Sequence, residues 1–405
     1  MALPQPFYAI IPAMQKNHLK TNIVIAGAGL VGISFALCMQ PKNCTITILE
    51  THLPNILTQT KTDSRPISLS YGSHMILKQL GIWDELAQCA CPILSVHVSE
   101  MGKLGVTQFY AAEQQVSALG FVVPFEKLQL ALYQKLFSQK NIQLISIQSI
   151  DAINYDHACT DIAIKTSEGE KKLSTELLIA SDGSNSTCRA LLNIKTIEKN
   201  CGDQAMIYHL DLSEEHGATA YERFTQFGVL AILPLFNKKK AQLVWTISHR
   251  QMIQINSWDD NKILLFLQNA FEGRLSITHI KKNNMLPLQT SIAETQIKPG
   301  AVLLGNAAHT IYPVAAQGFN LGLRDALTLS KILNHSEKLN DFSLLQEYEK
   351  TVRDYQEVIY KITNRLIGFF ELNLPCFGHF RGLGLLGLDL ISPLKNQLAR
   401  RAMGI

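Results

Sequence analysis

Three groups of residues in this chain have types and spacings that could do chemistry. The first is Gly27-Ala28-Gly29-Leu30-Val31-Gly32. In such a pattern Gly27 permits a tight turn, Gly29 lets the backbone approach a pyrophosphate, and Gly32 lets a helix pack closely on a strand. A helix that begins there turns free N–H groups and the positive end of its dipole toward the phosphates. Glu50 stands where a carboxylate could accept hydrogen bonds from a ribose diol, and it argues against a 2′-phosphate at that point. These letters suit NAD and FAD equally, and a glycine-rich turn without a ligand would carry them too. The second group is Asp182-Gly183-Ser184-Asn185-Ser186-Thr187-Cys188-Arg189. Here a carboxylate is followed by a residue free to take positive φ. Asp182 can accept from a ribose or from backbone N–H groups, and Ser186 and Arg189 open a helix; an ordinary turn with a helix N-cap is the plainer reading. The third group runs from Gly305-Asn306-Ala307-Ala308-His309 through Pro313 and Gln317-Gly318-Phe319-Asn320 to Gly322.

Each group follows a short apolar run. Asn22-Ile23-Val24-Ile25-Ala26 leads into the first, Leu177 to Ala180 into the second and Ala301 to Leu304 into the third. A helical stretch from Ile33 to Met39 and a second strand from Cys44 to Leu49 complete a unit of about 30 residues, the length of a strand, a helix and a parallel strand. Between the second and third groups the pattern alternates, as in Ala205–Leu210, Val229–Leu235 and Gln242–Ile247, which predicts a more antiparallel sheet. After Gly322 it turns helical, through Leu323–Leu333 and Phe342–Leu366. The expected organisation is α/β and interleaved. A Rossmann-like nucleotide-binding domain takes residues 21–75, 120–200 and 290–335, and an inserted, mainly antiparallel β-sheet substrate domain takes 76–119 and 201–289. A helical C-terminal region fills 336–405, and 1–20 is an N-terminal extension in which Met14 is an alternative start.

With the three groups in this order, the chain resembles the aromatic-ring hydroxylases, the single-component flavoprotein monooxygenases. It is most similar within them to the hydroxylases of ubiquinone biosynthesis. Asp63-Ser64-Arg65-Pro66-Ile67-Ser68-Leu69, Glu222-Arg223-Phe224-Thr225, Leu230–Pro234 and Arg381-Gly382-Leu383-Gly384-Leu385 support the likeness, which spans Thr21 to Gly404. The resemblance implies a bound FAD, NAD(P)H as co-substrate, and hydroxylation of a polyprenylated phenol with O2 through a flavin C4a-hydroperoxide. It places Gly27, Gly29, Gly32, Glu50, Arg65, Asp182, Gly183, Arg189, Gly305, Asn306, Ala307, Pro313, Gln317, Gly318 and Asn320 at the cofactor. Asn306 stands where many relatives carry Asp and can still bond the ribityl hydroxyls, while Ala316 replaces the first glycine of the usual GQG. The family often has an Arg at the start of a helix where this chain has Pro124-Phe125-Glu126-Lys127, which leaves that flavin contact open. His309 and Arg65 are the two weak candidates for catalysis; His309 belongs to the family's AAH signature and is expected to pack or hydrogen-bond near the cofactor. Rival readings are a same-fold prenyl reductase, a flavin-holding scaffold of a quinone-synthesis complex and a plain NAD dehydrogenase.

Composition narrows the remaining classes. Lys plus Arg is 37 and Asp plus Glu 33, a formal charge of +4 with no clustered basic excess, which excludes coating of nucleic acid. The 47% hydrophobic share supports a large core, and only 17% of residues are charged, a balance that suits a protein touching something greasy. No apolar run reaches the length of a membrane span. The eight cysteines are scattered with no CxxC pair, and no metal-type cluster is present, which fits a reducing cytosol and argues against disulfides or zinc. Leu366-Ile367-Gly368-Phe369-Phe370 and Gly382–Leu390 are strongly apolar and are followed by Lys395, Arg400 and Arg401. They predict either a helical cap over the core or an interfacial surface at the inner face of a membrane. Tyr221, Phe224, Phe227 and Leu233 are candidate lining residues of an apolar substrate pocket, with core packing the plainer role for each.

Overall fold

The computed structural model describes residues 18–39, 44–53, 65–156, 158–199, 202–271, 273–312, 317–371, 387 and 389–405. Strand β1 (His18–Ala26), helix α1 (Leu30–Cys38) and strand β2 (Ile46–Glu50) form the expected strand-helix-strand unit. β1 begins earlier than its apolar run, because the long strand Gly169–Ala180 extends beside it and pairs Lys172 with His18 and Leu173 with Leu19. Residues 18–20 therefore belong to the sheet rather than to an extension; Met14 lies outside the described residues.

Five strands run parallel in the order Ala301–Leu303, Gly169–Ala180, β1, β2 and Ile142–Ser146. Ile23, Val24, Ile25 and Ile48 are fully buried, as parallel strands covered on both faces must be. The Cys159–Thr166 and Ser149–Asp156 strands add an antiparallel extension to the outer half of Gly169–Ala180. On one face α1 packs against the helix Gln317–Asn334. The approach is close enough that a Cβ on Gly322 would stand 2.8 Å from Val31 Cγ2.

A second sheet of seven strands takes Ser95–Glu100 and Val106–Tyr110 from one part of the chain. The rest come from another: Gln204–Leu212, Thr219–Thr225, Gly228–Pro234, Lys240–Ile247 and Ile277–Pro287. It is antiparallel except where Thr219–Thr225 runs parallel to Ser95–Glu100. One face buries Tyr208, Leu230, Leu243 and Trp245 together with Ile263, Leu267 and Phe271 of the helix Asp260–Phe271. The other face sets Val96, Ala220 and Leu233 against Cys91, Ile93 and Val122. Those last three belong to a small sheet of Pro66–Ser70, Gly120–Pro124 and Cys91–Ile93, which lies next to the first.

The C-terminal helix Ser392–Met403 is amphipathic in an informative sense. Lys395, Ala399 and Met403 are buried, whereas Leu390, Ile391, Leu394 and Leu398 are exposed. Lys395, the first of the basic residues after the apolar stretches, has its Nζ 3.2 Å from Glu113 Oε2 and 3.2 Å from Asp389 Oδ1. Two carboxylates with a shared cation make burial of a lysine tolerable. The side chains of Leu366–Phe370, and residues 382–386 and 388, lie outside the described residues.

Candidate active site at the carboxyl ends of the parallel strands

Parallel strands end together, so β1, β2, Gly169–Ala180 and Ala301–Leu303 deliver Gly27, Glu50, Ser181 and Gly305 to one edge of the sheet. That edge is where open α/β sheets hold ligands. The glycines there are fixed by three different constraints. Gly27 has φ +96°, and a Cβ on it would meet Ser181 O at 2.6 Å. A Cβ on Gly32 would stand 2.3 Å from Gly27 O and 2.5 Å from Ser181 Oγ, so strand and helix close up only without a side chain. At Gly29 a Cβ would meet nothing within 4 Å. The protein does not require glycine there; the space it faces does. Gly29 is the N-cap of α1, which has no side-chain cap and no acid in its first turn, leaving its first N–H groups for an anion.

Glu50 closes β2 and turns back to the loop. Its Oε2 accepts the Ala28 N–H at 2.6 Å and its Oε1 accepts the His52 N–H at 2.8 Å. The carboxylate thus sets the glycine turn, with further lone pairs left for a ribose. Asp182 spends both oxygens on its own loop, accepting from Ser186 Oγ at 2.5 Å and from the Cys188 N–H at 2.9 Å. Of the two partners the sequence allows it, the structure shows the backbone one. Ser186 caps the helix Thr187–Leu191 by accepting the Arg189 N–H. The Arg189 guanidinium donates to Ser184 O at 2.8 Å and to Ala307 O at 3.0 Å, joining the second motif to the third. Gly183 has φ +91° with open space at its Cβ position.

In the third motif Gly305 takes φ +61° against Val31, and Asn306 is exposed beside it. Gly318 also faces open space. Asn320 is turned inward, accepting the Ser70 N–H at 2.9 Å and donating to Ser68 O at 3.0 Å, so it pins the small sheet to this loop. His309 is buried with its Nε2 2.5 Å from Asp325 Oδ2. The same carboxylate accepts Tyr355 OH and, at 2.9 Å, Gln356 Nε2. This geometry makes His309 an anchor between the loop and two helices. Arg65 accepts the Phe125 N–H through its carbonyl, and its guanidinium lies 5.9 Å from the centre of the Phe125 ring. Pro313 and the Gln317 side chain lie outside the described residues.

Several supports of the site gave no signal as motifs. Tyr133, in the middle of an amphipathic helix, donates to Ala28 O at 2.9 Å. Its hydroxyl is pushed well above the usual tyrosine range by burial and by Glu50, so it stays a donor. Ser181 Oγ donates to Ala26 O and Gly27 O. Tyr312 OH donates to Asp203 Oδ2 at 2.9 Å, tying the loop to the seven-stranded sheet. A single tyrosine in a helix carries no spacing signal; only the word Ser-Asp-Gly placed Ser181 near the site. Of the candidate lining residues, Tyr221 packs on Phe271, and Phe227 on Trp258 and Phe266, all on the helix-covered side. Phe224 and Leu233 lie on the other face.

The fold and this edge define a dinucleotide-binding flavoprotein. The open space at Gly29 and Gly318 and the uncapped helix end fit FAD, whose isoalloxazine, when bound, accepts hydride from NAD(P)H and activates O2. The family model described as FAD binding domain matches residues 20–361, and the chain belongs to that family. It is 28% identical to the 3-demethoxyubiquinol 3-hydroxylase of Escherichia coli, over 95% of this chain and 99% of that one. It is 26% identical to the ubiquinone hydroxylase UbiL of Rhodospirillum rubrum over 100% and 94% of the two chains. With the mitochondrial ubiquinone biosynthesis monooxygenase COQ6 of Homo sapiens it shares 24% over 93% and 91%. Among solved structures, p-nitrophenol 4-monooxygenase PnpA of Pseudomonas putida superposes with a TM-score of 0.76 at 14% identity, covering 95% and 98%. PqsL of Pseudomonas aeruginosa gives 0.71 at 16%, covering 91% and 100%. The protein is an FAD-dependent monooxygenase related to the ubiquinone hydroxylases.

Proposed function

We propose that this monooxygenase uses NAD(P)H and O2 to hydroxylate a polyprenylated phenol of ubiquinone biosynthesis, with 2-polyprenyl-6-methoxyphenol as the favoured substrate. The observation that carries this reading is the joining of all three motifs at one strand edge, with Arg189 bridging the second to the third. Residues 21–75, 120–200 and 290–335 hold the cofactor in this reading, and the seven-stranded sheet roofs the ring pocket. Gly27, Gly29, Gly32 and Glu50 take the adenosine and pyrophosphate end, and Asp182, Gly183, Arg189, Gly305, Asn306 and Gly318 frame the flavin end. The test is complementation of hydroxylase-deficient strains followed by mass spectrometry of the accumulated quinone precursor. Restoration of the quinone supports the reading. Purified protein that consumes NADPH equally with and without O2 would favour the prenyl-reductase alternative.

A second part of the reading concerns access. Among the described residues no helix is long and apolar enough to cross a membrane. The exposed stripe Leu390, Ile391, Leu394 and Leu398, with Arg400 and Arg401 also exposed, favours a helix that rests on an anionic bilayer, from which a prenylated phenol could be drawn. Leu394→Ser with Leu398→Ser should lower binding to phosphatidylglycerol vesicles severalfold; unchanged binding removes the membrane contact from the reading.

A further inference from the structure

The face of the seven-stranded sheet turned toward the small sheet carries a partly exposed rung. Strand register sets Val98, Glu222, Ala231 and Val244 side by side in one rung. All four keep partial exposure. The next rung, Glu100, Phe224, Val229 and Thr246, is buried. On the opposite side Val96, Ala220 and Leu233 are packed on Cys91, Ile93 and Val122. Val98, Ala231 and Val244 therefore leave small apolar surface partly exposed beside Glu222, as do Val96 and Leu233 in the neighbouring rung. Glu222 is the one acid in that rung, and its Oε1 is shut off from water with no hydrogen-bond partner. Arg223, the adjacent cation in sequence, belongs to the opposite face and donates to Ser99 Oγ at 2.8 Å. The small sheet packed on this face is the one that Asn320 pins to the third motif.

A buried carboxylate oxygen without a donor is rare, and its retention calls for an explanation. An apolar strip with one acceptor matches an aromatic ring that carries one O–H. We propose that Glu222 is a catalytic residue that accepts the phenolic hydrogen of the substrate, an assignment that rests on the phenol reading above. The step is a proton transfer. The phenol O–H bond breaks, an O–H bond to the Glu222 carboxylate forms, and the ring carbon gains nucleophilicity toward the oxygen that the monooxygenase reaction supplies. The proton returns to the same oxygen as the ring carbon sheds its own hydrogen. Burial alone lifts the Glu222 carboxyl to about 8, which places the base near the working pH. The other titratable groups turned to this region are Glu100 and His209 on the same sheet face and Cys91 on the facing strand. Burial raises the Cys91 thiol to about 11.

The test uses the flavin-loaded enzyme with 2-methoxy-6-prenylphenol as the probe. Hydroxylated product is quantified by mass spectrometry, and kcat/KM is followed from pH 6 to 9.5. The wild type should lose about tenfold per pH unit below about 8. Glu222→Gln should cost on the order of 10² or more in kcat/KM at pH 9 and should flatten that limb. Glu222→Asp should restore the limb and part of the rate, which a merely structural role would not do. A glutamine variant that keeps both the rate and the limb overturns the assignment and leaves the phenol reading standing. A wild-type enzyme that hydroxylates no phenol and restores no quinone in hydroxylase-deficient cells overturns both.

Discussion

Glu222 also makes a prediction about stability that needs no substrate. Its carboxyl sits at about 8 in the fold against an ordinary value of 4.5, and burial is the cause. An acid whose value is raised on folding opposes folding when ionised. The fold is unaffected by this group below pH 4.5, loses stability as pH rises toward about 8, and loses no more above that. At about 1.4 kcal/mol per pH unit, the penalty is about 1 kcal/mol at pH 5, about 3 at pH 7 and about 5 at pH 9. Glu222→Gln removes the ionisation and keeps the shape, so it should stabilise the holoprotein by those amounts, with no difference near pH 4. For a chain of this size the gain at pH 7 corresponds to a Tm increase on the order of 5 °C. Thermal melts of wild type and variant across pH 4 to 9, followed by tryptophan fluorescence and by flavin release, check it. Two curves that run parallel over the whole range would refute the buried, unpaired state of the carboxyl. Together with the activity test this gives one substitution with opposite signs, a more stable protein with a slower reaction, as expected where a site holds a group for chemistry rather than for the fold.

Gly29→Val should leave the protein folded, since a Cβ there meets no protein atom within 4 Å, but colourless after purification; a yellow variant would remove the pyrophosphate from that loop. Asp325→Ala leaves buried His309, Tyr355 and Gln356 without their common acceptor, and should cost about 3–5 kcal/mol in chemical denaturation with weaker flavin retention. Arg189→Met removes one donated bond within the second motif, to Ser184 O, and the one that joins it to Ala307 O of the third, and should weaken FAD binding at least tenfold by fluorescence titration while secondary structure by circular dichroism is kept. Lys395→Met leaves Glu113 and Asp389 without their shared cation, and should raise hydrogen exchange selectively in Ser392–Met403.

What could be read from the letters was what backbone geometry forces on them. Gly27 and Gly32 have no alternative residue, because Ser181 and the strand behind it occupy the space a side chain would need. Such positions show in one sequence because the constraint is steric and local. The parallel edge was legible for a related reason: each of its apolar runs ends on a motif. The parallel pairing of Thr219–Thr225 with Ser95–Glu100 was not, since alternation specifies a face and never a partner more than a hundred residues away. Nor could sequence orient Lys395, whose two acids, Glu113 and Asp389, come from distant parts of the chain.

His309 and Glu222 mark the limit from opposite sides. Both belong to family words, and both look equally able to do chemistry as letters. Each keeps one buried polar atom without a partner, Nδ1 of His309 and Oε1 of Glu222, and the structure separates them by what surrounds the rest of the side chain. His309 is committed through Nε2 to a carboxylate that already serves Tyr355 and Gln356, inside a packed junction of the loop with two helices. Moving a proton there would disturb that junction without bringing the imidazole to any open space. Glu222 has one oxygen without a partner, beside the partly exposed apolar side chains of its rung. A group held out of water and out of the hydrogen-bond network destabilises the fold at neutral pH, and that cost is offset only if something binds there. The pinning of the small sheet by Asn320 and the Tyr312–Asp203 bond hold that sheet face in fixed relation to the cofactor edge. A ring seated on it would be positioned by the same elements that hold the flavin loop, which is the arrangement a hydroxylase needs to bring substrate carbon and activated oxygen together with water excluded.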